Sequence, residues 1–464
     1  MTVLSRRRFL AASAASAAAA GTCQPALPAS SEFDVAIIGA GAAGIAAARR
    51  CAATRARVTV IEAADRIGGR CVTDTATFGT PFDRGALWLA APDVNPVVPL
   101  AMKSGLDMVS ASSSQRIRIG KRYARTGEME DYLTTSVRAG RAITDAGRKQ
   151  DAAAALAVPR DLGDWQSTIE FTLGPLSYGR DLADLSAADL ARSAERDNGL
   201  FCRQGLGTLI AKLADGLPVQ LSSPVLKIDW SERNKIEIKT AKGYVYARTV
   251  IVTVSAGMLA AGKIAFDPEL PRRHLDAVEK LKLGSRDRIA LELAGNPLGL
   301  QHDEQVYERA LSDHTAALVA NVYGSTLCTV EIGGKFGASL AATGEPVMVA
   351  FALDWLTGLY GPDVRKAVRK TAATRWSHDP WTLGAASAAV PGGQWARAAL
   401  AEPVKDRIFL AGEATHETLW GTVGGAWASG ERAADAALKK LGLTAHAESD
   451  EPPRRRSSRT SRRR

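Results

Sequence analysis

The chain has 464 residues, enough for a large buried core and two domains, and its 46% hydrophobic and 23% charged residues are ordinary for a globular protein. Its net charge of +10 resides at its ends. Arg6, Arg7 and Arg8, with the seven arginines of "PPRRRSSRTSRRR", supply as much positive charge as the whole net, which excludes a broadly basic, nucleic-acid-binding body.

In chain order, "SRRRFLAASAASAAAAG" comes first, with a twin arginine, Phe9-Leu10 and an alanine-rich stretch too short and too weakly apolar to span a membrane. It resembles a bacterial twin-arginine export signal, the route for proteins exported already folded. Residues 1–30 are therefore expected to be a leader, cleaved between Ala20 and Ser31, and the protein periplasmic or exported. No other segment reads as transmembrane.

The body opens with "EFDVAIIGAGAAGIAAARRCAATRARVTVIEAADRIGGR". Val35 to Ile38 is short, apolar and β-branched, as a fully buried parallel strand should be. Gly39, Gly41 and Gly44 form G-x-G-x-x-G ahead of a helix-forming run, and a second strand, Arg57 to Ile61, ends at Glu62, 18 residues past Gly44. Gly39 allows the tight turn, Gly41 admits a pyrophosphate to the backbone, and Gly44 lets helix and strand pack closely. The helix N-terminus faces the phosphates, and Glu62 accepts from ribose hydroxyls, which argues against a 2′-phosphate.

The sequel separates FAD from NAD. Arg66, Gly68, Gly69 and Arg70 in "EAADRIGGRC" resemble the extended flavoprotein signature of the amine oxidase superfamily, and "FDRGALWL", with Asp83, Gly85 and Trp88, resembles that family's flavin-lining segment. Two glycines bring the main chain close to the cofactor, and Arg70 serves phosphate or flavin. "PVQLSSPVLKIDW", "KIEIKTAKGYVYARTVIVTVSAG" and "DRIFLAGEAT" follow in the family's order, the first two reading as β-rich meanders. The resemblance implies that Val225 meets the adenine through its backbone, that Gly412 and Glu413 close on the pyrophosphate side, and that Gly421 to Ala426, with Thr422 and Val423, open the last helix beneath the flavin.

The expected fold is α/β, a Rossmann-type FAD-binding domain (31–100, 203–285 and 396–443) interleaved with a mixed-sheet plus helical substrate domain (101–202 and 286–395). In the first insert, "DAAAALAVP" and "LSAADLARSAERD" read as helical. Residues 444–464 are expected to be a disordered Arg-rich tail, since the terminal run has no large apolar residue to bury. Five cysteines (Cys23, Cys51, Cys71, Cys202, Cys328) are scattered without metal-site spacing and, apart from Cys23 in the leader region, read as buried single thiols, although an oxidising periplasm allows one pair.

In flavin amine oxidases two aromatic rings wall the pocket, the neutral amine gives a hydride to flavin N5, the imine hydrolyses, and oxygen takes the electrons to give peroxide. Three family positions depart here. A lysine that holds a water at N5 is Arg288 in "KLGSRDRIALEL", which keeps the charge but not the point geometry; the plain alternative is a strand residue paired with Asp287 or Glu292. One cage aromatic is Thr422. In "PWTLGAASAAVPGG", which matches the flavin-proximal loop from Trp381 onward, the covalent cysteine of monoamine oxidases is Ala385 and the second cage aromatic is Ala386. The resemblance thus implies non-covalent FAD and a roomier pocket, having lost cation–π guidance of ~1–2 kcal/mol. Nearby tryptophans, Trp420 first among them, are candidates to fill the space. His274, His302, His314 and His378 sit in polar, loop-like contexts and are expected to face solvent, and His416 lies close to the flavin-binding turn as a pocket candidate.

The expected function is FAD-dependent oxidation of a C–N bond in a primary or secondary amine, bulky ones included, by hydride transfer to N5. O2 is the expected acceptor, giving H2O2, and an electron carrier is the alternative that Arg288 keeps open. A desaturase of an apolar substrate and a flavin-binding redox protein without amine turnover are the other readings. No metal and no nucleic-acid partner is expected.

Overall fold

The computed structural model describes residues 32–111, 114–194 and 199–443. The leader and the Arg-rich tail lie outside the described residues. Glu32–Ile38 forms the first strand, and Val35, Ala36 and Ile37 are wholly buried, because helices cover both faces of the sheet they enter. The helix Ala42–Ala52 follows, and the crossover returns to the parallel strand Val58–Ile61.

Among the described residues this sheet has eight strands, taken from three separated stretches of chain: 32–61, 219–267 and 408–410. Gly243–Val252 lies beside the first strand in parallel register (Val35 opposite Thr249, Ile38 opposite Val252) and also pairs with Ile408–Leu410. Its early residues turn antiparallel to Ile236–Thr240, which continues to Val225–Asp229. The closing helix Val423–Leu441 packs directly on Ala42–Ala52, since a Cβ on Gly430 would sit 2.0 Å from the Ala43 carbonyl oxygen.

A second, seven-stranded sheet runs in the order Val368–Ala373, Arg286–Leu293, Leu327–Gly333, Ala317–Ala320, Glu304–Glu308, Gln115–Ile119, Arg122–Tyr123. Its core gathers Ile289, Leu291, Val330 and Ile332 against Met348, Trp355 and Leu356 of the helix Glu345–Tyr360. A small sheet pairs Trp88–Ala90 and Met108–Ser110 with Gly199–Cys202, and Leu281–Leu283 pairs with Ser387–Ala389. These short ladders fix Trp88–Ala90 beside Gly199–Cys202, and the alanine-rich loop beside Leu281–Leu283.

Two expectations need correction. "DAAAALAVP" contains a single 3₁₀ turn, Ala154–Ala157, because Pro159 follows at once and Ala153 bridges to Ser186 instead of continuing a helix. His274 is buried, not solvent-facing: it lies on the inner side of the helix Arg272–Lys280, with Nε2 2.9 Å from the Glu402 carbonyl oxygen. Cys51, Cys71, Cys202 and Cys328 are free and buried, and burial pushes the Cys51 and Cys71 thiols up to about 12. Among the described residues no helix is long and apolar enough to cross a membrane, and no cluster of His, Cys, Asp or Glu could hold a metal.

Candidate functional site

The turn after the first strand is built for close approach. Gly39 has φ of 103°, and a Cβ there would strike Thr253 Oγ1 at 2.6 Å. A Cβ on Gly44 would lie 1.8 Å from the Gly39 carbonyl oxygen, so the helix can start this close to the strand only with glycine. Gly41 is the N-cap of the first helix and no side chain caps it, which leaves the first-turn N–H groups for an anion. Above it, Gly68 and Gly69 run with positive φ, Gly68 forms a bridge to Gly41, and a Cβ on Gly69 would come 3.2 Å from Gly41 Cα. Two glycine segments thus make a cradle that side chains would fill.

Glu62 directly follows the second strand and is buried, with Oε2 accepting from Ala40 N–H (2.6 Å) and Oε1 from Ala64 N–H (2.8 Å). The segment leading to Val225 wraps this carboxylate's main chain: Glu62 N–H donates to Gln220 and Ser223 N–H donates to Glu62. Val225 is buried at the start of its strand. The acid and Val225 therefore stand together at one end of the cradle, as the ribose and adenine end of a dinucleotide requires. These residues fit FAD.

At the other end, Arg66 Nη1 donates to the Gly69 carbonyl (2.9 Å), and Arg70 Nη1 donates to Glu413 Oε1 (3.0 Å) and to the Ala385 carbonyl. Glu413 also accepts from Ser387 Oγ (2.7 Å) and Gly421 N–H (2.9 Å), so one buried carboxylate ties together the G-G-R segment, the alanine-rich loop and the entry to the last helix. Burial would raise its pKa, but Arg70, Ser387 and Arg397 outweigh that and hold it below the usual carboxylate range. Gly412 precedes it with φ of 135° and donates to Ser429 Oγ on the last helix.

The alanine-rich loop keeps its path by backbone pairing. Ala385 N–H donates to Gly284 and Gly284 N–H donates to Ala386, while a Cβ on Gly384 would meet Leu283 Cβ at 2.4 Å. Thr422 caps the last helix, its hydroxyl accepting from Gly425 N–H (3.0 Å) and donating to the Leu419 carbonyl (2.6 Å), and Val423 is buried behind it. Trp381 is exposed, with its N–H on Asp379 Oδ1. Trp420 is fully buried, so it backs a wall and does not form its surface. The ring next to it is that of the half-buried Tyr178, 5.1 Å away, which sequence reasoning missed because it lies in the divergent insert. His416 Nδ1 accepts from Thr418 and Leu419 N–H, closing a local turn, and burial first, then Arg432, keeps its pKa low.

Arg288 pairs with neither Asp287 nor Glu292. Its Nε donates to Glu331 Oε1 at 2.9 Å, because Glu331 stands directly opposite it on the neighbouring strand. Asp287 points to the other face of the strand, and Glu292 is ~13 Å further along it. Arg288 Nη1 also donates to the carbonyls of Asp83 (2.9 Å) and Gly85, so the guanidinium holds the FDRGALWL segment. A Cβ on Gly85 would lie 1.8 Å from the Arg70 carbonyl oxygen, which fixes that segment against the G-G-R turn. Trp88 is half-buried, edge-on to Phe201 at 5.7 Å. Asp83 is buried and accepts from Thr73, Leu206 and Tyr323, yet burial leaves its pKa raised.

Glu331 gives a pH prediction. Burial would raise its pKa, but Arg286 and Arg288 bring it down to about 2. A depressed carboxylate contributes stability that is fully present above its unfolded value of ~4.3 and is lost as pH falls through the folded value. Denaturant midpoints of wild type and Glu331→Gln should differ most above about pH 5 and converge toward about pH 2. A gap that stays constant over that range would contradict the assigned pairing.

A model of flavin containing amine oxidoreductases matches residues 42–438. Human lysine-specific histone demethylase 2 is 31% identical over 441 residues, covering 86% of this chain and 53% of that protein, so the chain spans about half of that relative's length. Probable polyamine oxidase 4 of Arabidopsis thaliana is 28% identical over 450 residues, 85% of each chain. Among solved structures, cyclohexylamine oxidase from Brevibacterium oxydans shares the fold with a TM-score of 0.74 at 22% identity, over 89% of this chain and 100% of that one. Wild-type putrescine oxidase bound to putrescine does so with a TM-score of 0.74 at 19% identity, over 88% and 99%.

Proposed function

The chain belongs to the flavin-containing amine oxidoreductase family, an amine oxidase-like oxidoreductase with a flavin cofactor, and on that premise we propose that it oxidises the C–N bond of a primary or secondary amine at non-covalent FAD. The observation that carries the reading is the junction at Arg70, where the glycine cradle meets Glu413 and the Ala385 carbonyl. It joins a dinucleotide site to a loop that presents only methyl groups at Ala385 and Ala386.

The chain's own groups bind and orient. Gly41 and Gly69 admit the pyrophosphate to the main chain, the uncapped helix start and Arg66 offer positive potential, and Glu62 fixes the ribose end. Ala385 has no nucleophile to offer the ring, and Ala386 and Thr422 leave room beside it for a bulky amine. Arg288 keeps a fixed positive charge against the flavin-lining carbonyls. When bound, FAD supplies the two-electron sink for the hydride leaving the carbon beside nitrogen, with O2 taking the electrons on to H2O2. The amine also loses a proton, and water then adds to the imine and breaks its C–N bond, giving a carbonyl compound and releasing ammonia from a primary amine or an amine from a secondary one. Export through the twin-arginine route rests on the leader sequence, and cell fractionation tests it.

Purified protein should be yellow and release its FAD on denaturation, and an amine added anaerobically should bleach the flavin's visible absorption. Flavin that stays with the denatured chain would overturn the non-covalent assignment. Bleaching by an apolar polyene and by no amine would make the protein a desaturase. Protein with no affinity for FAD would sink the whole reading.

A further inference from the structure

We propose that Tyr178, from the substrate domain, supplies the pocket ring that Ala386 and Thr422 lack, and that it selects an apolar monoamine over a diamine. The inference rests on the amine-oxidising reading above. Tyr178 reaches the pocket wall through Gly284. A Cβ on Gly284 would lie 2.7 Å from the Tyr178 carbonyl oxygen, and Gly284 N–H donates to the Ala386 carbonyl at 2.8 Å. Ser285 N–H donates to Gly179, so the turn carrying Tyr178 is pinned to the same strand entry that leads to Arg288. From there the ring extends to Trp420, two residues before Thr422, with centroids 5.1 Å apart and planes at 33°. One ring therefore bridges the neighbourhoods of the two positions whose side chains are small.

That ring has firm backing. Trp420 is fully buried and lies 4.3 Å from the guanidinium of Arg397, which a bidentate pair with Asp189 (2.7 Å to each oxygen) holds in place. A ring packed on so firmly held a base presents a defined surface to a substrate at little entropic cost.

The surroundings decide the substrate class. The cluster that Tyr178 packs against is apolar, with Ile143, Leu182, Leu185 and Ala388 as its buried members nearest in kind. The carboxylates on the same turn are committed elsewhere: Asp181 accepts from Lys335 N–H (3.2 Å), and Asp184 pairs with Lys335 Nζ (2.9 Å). A second ammonium placed against this ring, which is backed by an apolar cluster, would lose hydration with no uncommitted carboxylate on the turn to replace it, and that costs more than the ring can return. A cyclic or aryl amine with one nitrogen fits the ring and needs no second carboxylate.

The test uses the purified holoenzyme, with cyclohexylamine and benzylamine against putrescine. Wild type should give a higher kcat/KM with the two monoamines than with putrescine. Tyr178→Ala should raise KM for the monoamines about tenfold, the factor that ~1.4 kcal/mol gives, with kcat moving less. It should weaken by a similar factor the flavin difference spectrum produced by an unreactive cyclic ligand, read without turnover. Tyr178→Phe should stay within about threefold of wild type, because the ring and not the hydroxyl does the selecting. If Tyr178→Ala does not retain FAD, Tyr178→Leu serves, with the same rise in KM expected. A variant with bound FAD, wild-type KM and an unchanged spectrum would overturn the proposal, as would a preference for putrescine, and both leave amine oxidation standing. Wild-type flavin that no amine reduces or perturbs would remove the amine-oxidising reading itself, and this proposal with it.

Discussion

Arg397→Met should destabilise the protein by roughly 3–5 kcal/mol and strip it of most of its flavin. Arg397 is wholly buried, and each of its outer groups is used. Nε and Nη2 hold both oxygens of Asp189 at 2.7 Å, and Nη1 donates to Ser387 Oγ and the Ala414 carbonyl at 3.1 Å each. Methionine fills the volume but leaves Asp189, itself buried, with the Ala389 N–H as its remaining hydrogen-bond donor among the contacts described. A buried ion stripped of its counter-ion carries the full desolvation cost, which is why the penalty exceeds that of an ordinary lost hydrogen bond. The loss spreads along a defined line. Ser387 would no longer be held between Arg397 and Glu413, and Glu413 fixes Arg70 at the cradle. Chemical denaturation reads the stability, and FAD per chain after gel filtration reads the cofactor. Replacing Asp189 and Arg397 together by leucine and methionine should cost less than Arg397→Met alone, since no buried charge is then left unpaired. Arg397→Met with the wild-type midpoint and full flavin would show that the line is decorative.

The dinucleotide half of the site was legible because its requirements are local. A strand, three glycines, a helix and an acid lie within thirty-odd consecutive residues; Gly39 answers to a φ of its own and Gly44 to the Gly39 carbonyl five residues back. The close packing of the G-G-R turn and of Gly85 against the Arg70 carbonyl is local in the same sense. What stayed hidden is what depends on distant partners. Asp189 and Arg397 are separated by 208 positions, and Arg288 finds Glu331 across a ladder whose register no local pattern dictates. The small residues at Ala386 and Thr422 could be seen to vacate a space, but not what enters it, because Tyr178 comes from an insert with no motif. His274 illustrates the same limit: a polar neighbourhood in sequence became the buried face of a short helix once Glu402 supplied a carbonyl. Trp420, conspicuous beside Gly421, proved to be backing, buried by the apolar cluster around it, by Tyr178 and by Arg397.

Arg288 carries the second large effect, and here structure and redox chemistry can be separated. Arg288→Met should lower stability by about 3–5 kcal/mol, because it uncaps the carbonyls of Asp83 and Gly85 and leaves buried Glu331 with Arg286 alone. Arg288→Lys should cost less, about 1–3 kcal/mol: the charge remains, but a single ammonium cannot span Glu331 and two carbonyls as the planar fork does. The rate at which air restores the visible absorption of amine-reduced enzyme tests a different property. A fixed cation near the cofactor stabilises the negative charge that passes to oxygen, so reoxidation should fall about tenfold or more in Arg288→Met and much less in Arg288→Lys, both measured at a temperature where the variants remain folded and yellow. Lysine restoring the rate while not restoring the stability would assign the charge to oxygen chemistry and the fork to the flavin-lining segment. Equal reoxidation in wild type and Arg288→Met would confine Arg288 to its structural role. Wild-type enzyme that stays reduced in air would show that Glu331 has taken the guanidinium out of use for oxygen, and that the electrons leave through a carrier.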